Sequence, residues 1–350
     1  MLDANNLPDQ QRLTTQLCIV GAGAAGIAMA MEFIGSGIQV LVLEAASFDP
    51  AAEAAATPDT AADRLRSARR PDGATSAASG SGSRRGVRCR PLSAPELAAR
   101  SHVADSGWPI EADALAGCYE RALGLCESGV SAFSARHDAI TMSQPLIAGL
   151  GGEPFGSGLL DQYAPLDPMA RRYRRRLAAA GNICVIGNAQ VTGLHLDPSG
   201  HNIERLSVQT SGQRRLQVSA QTVVLAAGSE ATARLLLLGR DAQGIGNAHG
   251  NVGRYCMSPL RGTIGIVRLY QAPAAIWHGP RNRQRSRRPL MLGSEAQRQF
   301  RLPAFAMRLR PIPADDLITA ALARFGRGSG FAHRFQIGRA SCRERVSSPV

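Results

Sequence analysis

The chain has 350 residues, of which 44% are apolar, and it carries a formal net charge of +13. This length and apolar share are enough for a sizeable core and favour two domains. All 40 basic residues are arginine, as a GC-rich gene would encode, and the arginine clusters at residues 171–176 and 281–288 have few aromatic residues for base stacking, so we expect no nucleic-acid partner.

The sequence contains no clear membrane-targeting segment and no cysteine pattern typical of disulfides or metal sites. No apolar run reaches the roughly 20 residues that a membrane span needs, and residues 1–16 lack the apolar stretch of a signal peptide. The seven cysteines are odd in number and show no CxxC spacing, so they predict neither a disulfide framework nor a metal site. We therefore expect a cytoplasmic protein with no membrane span.

Residues 17–44 are the first organised stretch, and their order predicts strand, helix, turn and strand. A short apolar run ends at Gly21, and small helix-forming residues follow it. Gly35 and Gly37 end the predicted helix, and a β-branched run at residues 38–43 forms the second strand. The stretch is therefore predicted to be a β-α-β unit.

The next stretch, residues 45–86, consists mostly of Ala, Ser, Gly, Arg, Pro and Asp. It has too little apolar surface to offset the entropy of ordering. We interpret it as a long loop, a disordered insert or mistranslated sequence, with a shifted reading frame within residues 49–86.

Further elements are predicted along the remaining chain. Apolar spacing predicts helices at residues 112–123, 168–180 and 230–238. Short strands from residue 183 to 218 are typical of an antiparallel meander with one solvated face, and residues 222–228 read as a buried strand of the same parallel sheet as the first unit. A strand follows at residues 263–269, and the sequence up to residue 336 is predicted to be rich in loops.

The glycine spacing in the β-α-β unit carries chemistry. Gly21, Gly23 and Gly26 form a GxGxxG motif, in which the first glycine makes a tight turn, the second admits a pyrophosphate and the third lets the helix pack on the strand. The helix that begins there directs free N–H groups toward the phosphates. Glu44 ends the second strand, where a carboxylate accepts ribose hydroxyls and disfavours a 2′-phosphate. The motif therefore predicts dinucleotide binding.

The choice between FAD and NAD depends on the late strand at residues 222–228. A return to the same sheet after a long excursion favours FAD, although a single apolar strand is also typical of ordinary core.

Several segments, in order, resemble the glucose-methanol-choline (GMC) family of FAD-dependent oxidoreductases. They cover about two thirds of the chain, and their order is more specific than any one motif. The matching segments are GAGAAG at residues 21–26 with Glu44, RCRPL at 88–92 with SGWPI at 106–110 and the following helix, residues 182–196, and VVLAAGSEATARLL at 223–236 with Gly246, Asn247 and VGRY at 252–255.

The resemblance implies a fold and a reaction. The fold is α/β: a doubly wound, Rossmann-like FAD-binding domain with an antiparallel-sheet (α+β) substrate domain, here incomplete. The reaction is oxidation of a CH–OH group with hydride transfer to flavin N5, and the partners are a small-molecule alcohol and an electron acceptor. The resemblance implies cofactor binding by Gly21, Gly23, Ala24, Ala25, Gly26, Glu44, Val191, Ala227 and Gly228.

The expected domain limits follow from these segments. The FAD-binding domain takes residues 10–48 and 182–260, and residues 87–181 form a helical insertion on the substrate side. Residues 261–336 form part of the substrate domain. The sequence at 337–346 resembles a translated sequencing adapter, so we expect residues 337–350 to be an artefactual tail.

Three departures from the family pattern affect the expected activity. Residues 80–87 differ from the family's flavin-facing run, and Pro259 stands where relatives carry histidine. The family's catalytic histidine has no counterpart here, so we assign no catalytic residue and expect an inactive N-terminal fragment. His249, His278 and His333 are weak candidates for a base.

Two other functions stay open. The chain is also compatible with another FAD-dependent enzyme, an amine oxidase or a monooxygenase, or with a nucleotide-binding fragment without redox activity. The sequence specifies neither the substrate nor the oligomeric state.

Overall fold

The structure is a computed structural model that describes residues 1–48, 88–127, 146–147, 154–156, 161–163, 169–239, 244–255, 263–269, 277–278, 285–311 and 333–342. It divides into two compact units. The first comprises Met1–Val87 and Pro165–Arg254, and the second Arg88–Ala164 and Tyr255–Val350. The predicted low-complexity segment, residues 49–86, lies outside the described residues, as do residues 80–87 and Pro259.

The strands, in chain order, are β1 (Leu2–Asp3), β2 (Arg12–Val20), β3 (Val40–Leu43), β4 (Arg88–Cys89), β5 (Phe155–Gly156), β6 (Asp161–Tyr163), β7 (Ile183–Gly187), β8 (Ala189–Leu196), β9 (Ile203–Thr210), β10 (Arg215–Leu225), β11 (Thr263–Leu269), β12 (Trp277–His278), β13 (Arg285–Arg287), β14 (Leu290–Leu292), β15 (Phe305–Pro311) and β16 (His333–Cys342).

The helices are α1 (Ala24–Glu32), α2 (Ala94–Leu97), α3 (Ala112–Cys126), α4 (Met169–Arg172), α5 (Arg174–Ala179), α6 (Ser229–Leu238) and α7 (Ser294–Gln299), preceded by a 3-10 turn at Ala4–Asn6. Within the described ranges, no helix has both the length and the apolar content required to cross a bilayer.

A seven-stranded sheet forms the first unit, in the order β1-β7-β3-β2-β10-β9-β8. Its first five strands are parallel, and β9 is antiparallel to both of its neighbours, β10 and β8. The order β7-β3-β2-β10 matches the 3-2-1-4 order of a Rossmann fold. The predicted β-α-β unit is confirmed, and the late strand does lie beside β2 in the same sheet.

The sequence of the parallel strands explains their central position. The four residues Leu17–Val20 and all of β3 are buried, as expected for strands covered on both faces. One face packs against β8, β9 and Leu235 of α6, whereas Gly26 of α1 lies against Ile19 on the other face. The end of β2 and the whole of β3 are therefore covered on both faces.

The predicted meander is partly wrong. Residues 183–186 do form a strand, but β7 pairs in parallel with β3 and belongs to the central sheet. Only Asn188 separates β7 from β8, and one residue is too short for a two-residue hairpin turn, so the chain leaves β7 and pairs β8 with β9 instead. The meander consists of β8, β9 and β10.

Two predicted boundaries also differ. The strand predicted at residues 222–228 is the end of β10, which begins at Arg215 and runs without a break because no glycine or proline interrupts it. The predicted burial is wrong, since Thr222 is exposed and residues 223–225 are half-buried. The helix predicted at residues 168–180 is divided into α4 and α5 at Tyr173, whose φ of −90° and ψ of 4° are not helical.

A buried thiol lies in the centre of the sheet. Cys18 is fully buried on β2, and burial raises the pKa of its thiol to about 12. The thiol stays protonated at neutral pH and acts as a small apolar core side chain.

The second unit contains two antiparallel sheets, ordered β11-β16-β15-β14-β5 and β12-β13-β6-β4. The antiparallel sheet predicted for the substrate domain is therefore present. The predicted strand at residues 263–269 is confirmed as β11, but the region up to residue 336 contains more structure than the loops predicted, because β12 to β15, α7 and part of β16 lie within it.

One buried ion pair crosses this unit. Arg308 of β15 donates from Nε to Asp161 Oδ2 of β6 at 2.7 Å, and the two side chains are 7% and 2% exposed. Arg287 of β13, also buried, donates to the carbonyl oxygen of Leu309. Buried arginines are tolerated because carboxylate and carbonyl oxygens accept their hydrogen bonds.

The segments that carry the family resemblance near residue 90 form a compact turn in the same unit. Arg90 pairs with Glu96, and Glu96 also accepts from the backbone N–H and the hydroxyl of Ser93 in a capping box at the start of α2. Trp108 N–H donates to the Leu97 carbonyl at 2.9 Å. The predicted helix that follows is confirmed as α3.

The predicted artefactual tail begins inside a strand. Residues 337–342 belong to β16, which pairs with β11 and β15, and residues 343–350 lie outside the described part of the chain.

Candidate functional site

The carboxyl ends of the central strands meet at one edge of the first unit. Gly21 N–H, after β2, donates to the Leu43 carbonyl of β3 at 2.7 Å, and Ala226 N–H, after β10, donates to the Val20 carbonyl at 2.8 Å. Glu44 N–H, after β3, donates to the Ile186 carbonyl of β7 at 2.9 Å. These bonds bring the predicted glycine loop, acid and late strand to the same edge, which is where open α/β sheets bind ligands.

Gly21 is required at its position for two reasons. Its φ is +108°, which is unfavourable for residues with a side chain. A Cβ at this residue would also lie 2.6 Å from the Ala226 carbonyl oxygen and 3.0 Å from Ala227 Cα. The glycine therefore lets the loop pack directly on the end of β10.

Gly26 allows the helix to approach the strand. A Cβ there would lie 1.9 Å from the Gly21 carbonyl oxygen and 3.4 Å from Ile19 Cγ2. Any side chain would push α1 away from β2, as the sequence predicts for the third glycine of the motif.

The start of α1 offers backbone donors. Gly23 is the N-cap residue and has an extended backbone, and no side chain caps the helix. The first hydrogen bond within the helix runs from Ile27 N–H to the Gly23 carbonyl at 2.9 Å. The amides of Ala24, Ala25 and Gly26 therefore precede the helical hydrogen-bond ladder and carry the positive end of the dipole. Of these residues, Ala25 is exposed, Ala24 is half-buried and Gly26 is buried.

Glu44 lies between the glycine loop and the chain after β3. Its side chain is 7% exposed; Oε2 accepts from Ala22 N–H at 2.6 Å, and Oε1 accepts from Ala46 N–H at 3.0 Å. Burial raises the pKa of Glu44, and hydrogen bonds from the amides of Ala46, Ala22 and Ala45 oppose that rise.

The start of β8, two residues before Val191, also contacts the segment that follows β3. Ala189 N–H, at the start of β8, donates to the Glu44 carbonyl at 2.8 Å, and Asn188 N–H donates to the Ala46 carbonyl at 3.1 Å. Val191 itself is buried in the core, and the ladder between β8 and β9 shifts register just after it. The beginning of β8 is thus attached to the segment that holds Glu44.

Ala227 and Gly228 connect β10 to α6. Gly228 has a φ of +87°, is exposed and forms the N-cap of α6, and Ala227 is half-buried beside Gly21. All nine predicted cofactor-binding residues lie in the first unit.

The weak base candidates lie elsewhere along the chain. His249 is exposed in the loop at residues 244–255, whereas His278 belongs to β12 and His333 to β16. Across the described ranges, no group of three or more His, Cys, Asp or Glu side chains is arranged to hold a metal ion.

Sequence reasoning missed Ala22 and Ala46, whose amides bind the Glu44 carboxylate. A backbone donor leaves no trace in residue type, so only the adjacency of Gly21 and the acid at the end of β3 hinted at this contact. The approach of Ala226 to Gly21 was missed for the same reason.

The comparisons with known proteins concern the fold. No protein-family model matches the chain, and no curated protein matches it significantly. A variant of formate oxidase from Aspergillus oryzae RIB40, studied for its FAD modification, superposes on 98% of this chain and 74% of its own, with 15% identity and a TM-score of 0.50. At this identity the superposition shows that the chain shares the fold of this formate oxidase variant.

Two further solved structures are similar at lower scores. Pyridoxine 4-oxidase from Mesorbium loti is 18% identical over 93% of this chain and 71% of its own, with a TM-score of 0.48. A fungal aryl-alcohol oxidase is 13% identical over 67% of this chain and 48% of its own, with a TM-score of 0.37. The fold that the family resemblance implies is confirmed by the sheet order and by the superposition on the formate oxidase variant.

Proposed function

We propose that the first unit binds the ADP half of FAD, and that the chain derives from an oxidoreductase that acts on the CH–OH group of small-molecule alcohols. The observation that carries this proposal is the convergence of Gly21, the start of α1, Glu44 and Ala227 at the carboxyl edge of one parallel sheet.

The residues at this edge fit an adenine dinucleotide. A Cβ at Gly21 or Gly26 would collide with the backbone of the protein itself, so the two glycines allow the loop and α1 to pack closely at this edge. The amides at the start of α1 suit a pyrophosphate. Glu44 would accept ribose hydroxyls, and backbone near Val191 would lie along adenine.

FAD is favoured over NAD by β10. This strand returns to β2 after the 194 residues 21–214 and places Ala227 beside Gly21 of the glycine loop. The arrangement agrees with the family resemblance of the sequence, in which the same late strand completes the FAD site.

FAD, when bound, would supply the hydride acceptor for oxidation of the alcohol. This chain would bind the ADP half, and a separate electron acceptor would reoxidise the flavin. We assign no catalytic base. An amine oxidase reaction and simple nucleotide binding are the outcomes that the experiment below separates from alcohol oxidation.

The test is a titration of the purified chain with FAD, FMN and NAD, followed by flavin absorbance and fluorescence. Binding of FAD with competition by ADP, and no binding of FMN, is the expected result, because FMN lacks the ADP half. Bleaching of bound flavin by alcohols and not by amines would support the CH–OH reaction. Binding without bleaching by either class favours the nucleotide-binding fragment, and failure to bind FAD contradicts the proposal.

A further inference from the structure

The Glu44 carboxylate is attached to the backbone on two sides. Oε2 binds the Ala22 amide in the glycine loop, and Oε1 binds the Ala46 amide after β3, at 2.6 and 3.0 Å. The side chain is 7% exposed. One carboxylate therefore joins the loop after β2 to the chain after β3.

The glycine loop needs such an acceptor. Ala22 is 7% exposed, and its amide precedes α1, so no helical carbonyl accepts from it. Gly21 is already held by the Leu43 carbonyl and by its contact with Ala226. The bond from Ala22 to Glu44 is what holds the next peptide, and a buried amide without an acceptor is costly.

We propose that Glu44 positions the glycine loop for the pyrophosphate, in addition to any contact it makes with a ribose. This inference rests on the proposed function, because it assigns Glu44 a second task at the same site. The surrounding amides are what make a carboxylate acceptable there: burial disfavours its charged form, and the amides of Ala46, Ala22 and Ala45 favour it.

The two tasks predict different results with a ligand that lacks ribose hydroxyls. If Glu44 acted only on the ribose, its replacement would weaken ADP and leave 2′,3′-dideoxy-ADP unchanged. If it positions the loop, both ligands lose affinity, because both carry the pyrophosphate.

The experiment is a cycle of two proteins and two ligands, measured by calorimetry. In Glu44→Gln the Ala22 amide either faces the new NH2 group and loses its acceptor, or keeps a neutral amide oxygen in place of the carboxylate, so its hydrogen bond is lost or weakened in both orientations. We expect the affinity for 2′,3′-dideoxy-ADP to fall about ten-fold, as the loss of a hydrogen bond to a charged group implies. Unchanged affinity for this ligand overturns the inference.

A matched control and a second variant guard against trivial causes. Glu32→Gln makes the same chemical change on an exposed residue of α1 and should leave both affinities unchanged. If Glu44→Gln does not fold, Glu44→Asp is the alternative, because its shorter side chain keeps the charge but moves the carboxylate oxygens away from Ala22. We expect the same loss of affinity for both nucleotides.

A ligand-free readout separates this inference from the proposed function. Labelling with carbonyl-13C glycine and 15N alanine selects amides that follow glycine, Ala22 among them. The amide proton of Ala22 should shift strongly upfield in Glu44→Gln and stay in place in Glu32→Gln. If wild type binds no ADP, the proposed function fails and the amide shift alone decides the role of Glu44; an unmoved Ala22 resonance contradicts it.

Discussion

The ligand edge of the first unit and the buried ion pair of the second differ in what holds them together. The ligand edge is built from backbone groups, with Gly21 and Gly26 leaving no space for a side chain. The Asp161–Arg308 pair is built from two side chains that are 147 residues apart in the sequence. The local sequence motifs determine the ligand edge, whereas the ion pair depends on contacts between strands that are far apart in the sequence.

The largest expected effect comes from breaking the ion pair. Asp161→Ala leaves Arg308 charged and buried, which we expect to lower the free energy of unfolding by about 3–5 kcal/mol. Both tryptophans, Trp108 and Trp277, lie in the second unit, so their fluorescence during urea unfolding reports on it. The double variant Asp161→Leu/Arg308→Met should recover most of the loss. A double variant as unstable as Asp161→Ala would show that packing, and not charge, dominates there.

The next effect tests backbone contact at the ligand edge. Gly26→Ala places a Cβ 1.9 Å from the Gly21 carbonyl oxygen, and we expect a loss of about 3 kcal/mol together with loss of FAD binding. Peptide-resolved hydrogen exchange over residues 17–33 measures the local loss. Gly117→Ala is the control in α3, where a Cβ meets nothing within 4 Å, and it should stabilise by about 0.5–1 kcal/mol. If both substitutions changed the free energy of unfolding equally, close backbone packing at Gly26 would not distinguish the ligand edge from α3.

A smaller effect is expected at the turn between α1 and β3. Asn182 Nδ2 donates to the carbonyls of Phe33 and Ile38, each at 2.8 Å. Asn182→Asp keeps the shape but removes both donors, and we expect a loss of about 2 kcal/mol, seen as faster exchange of the Ile38 and Gln39 amides. Unchanged exchange would mean that Gly35 and Gly37 fix the turn without Asn182.

The smallest effect is a pH dependence at Glu44. Its folded-state pKa lies above the ordinary value of 4.5. The stabilisation from this group is therefore complete below that ordinary value and is lost as pH rises through the folded-state pKa. We expect the stability of wild type relative to Glu44→Gln to decline as pH rises above 4.5, measured by hydrogen exchange of β3. A difference that grows with pH would contradict the dominance of burial.

The sequence predicts the ligand edge better than the second unit for physical reasons. The GxGxxG spacing and Glu44 are local signals, and the β-α-β unit appears as predicted. The pairing of β7 was predicted wrongly because its neighbour in space, β3, lies more than 130 residues earlier.

In the second unit, buried arginines made the strands difficult to predict from the sequence. Arg308 stands in β15 among residues that would otherwise read as apolar, and its burial depends on Asp161. No periodicity in the sequence around residue 308 reveals a carboxylate that lies 147 residues away.

The central claim is that the carboxyl edge of the first unit holds the ADP half of FAD. Peptide-resolved hydrogen exchange, with and without saturating FAD, tests it most directly. The account predicts slower exchange at residues 21–27 and 44–46 on addition of FAD, the same protection by ADP, and none by FMN. Protection by FMN, or protection by FAD that spares both segments, would contradict it.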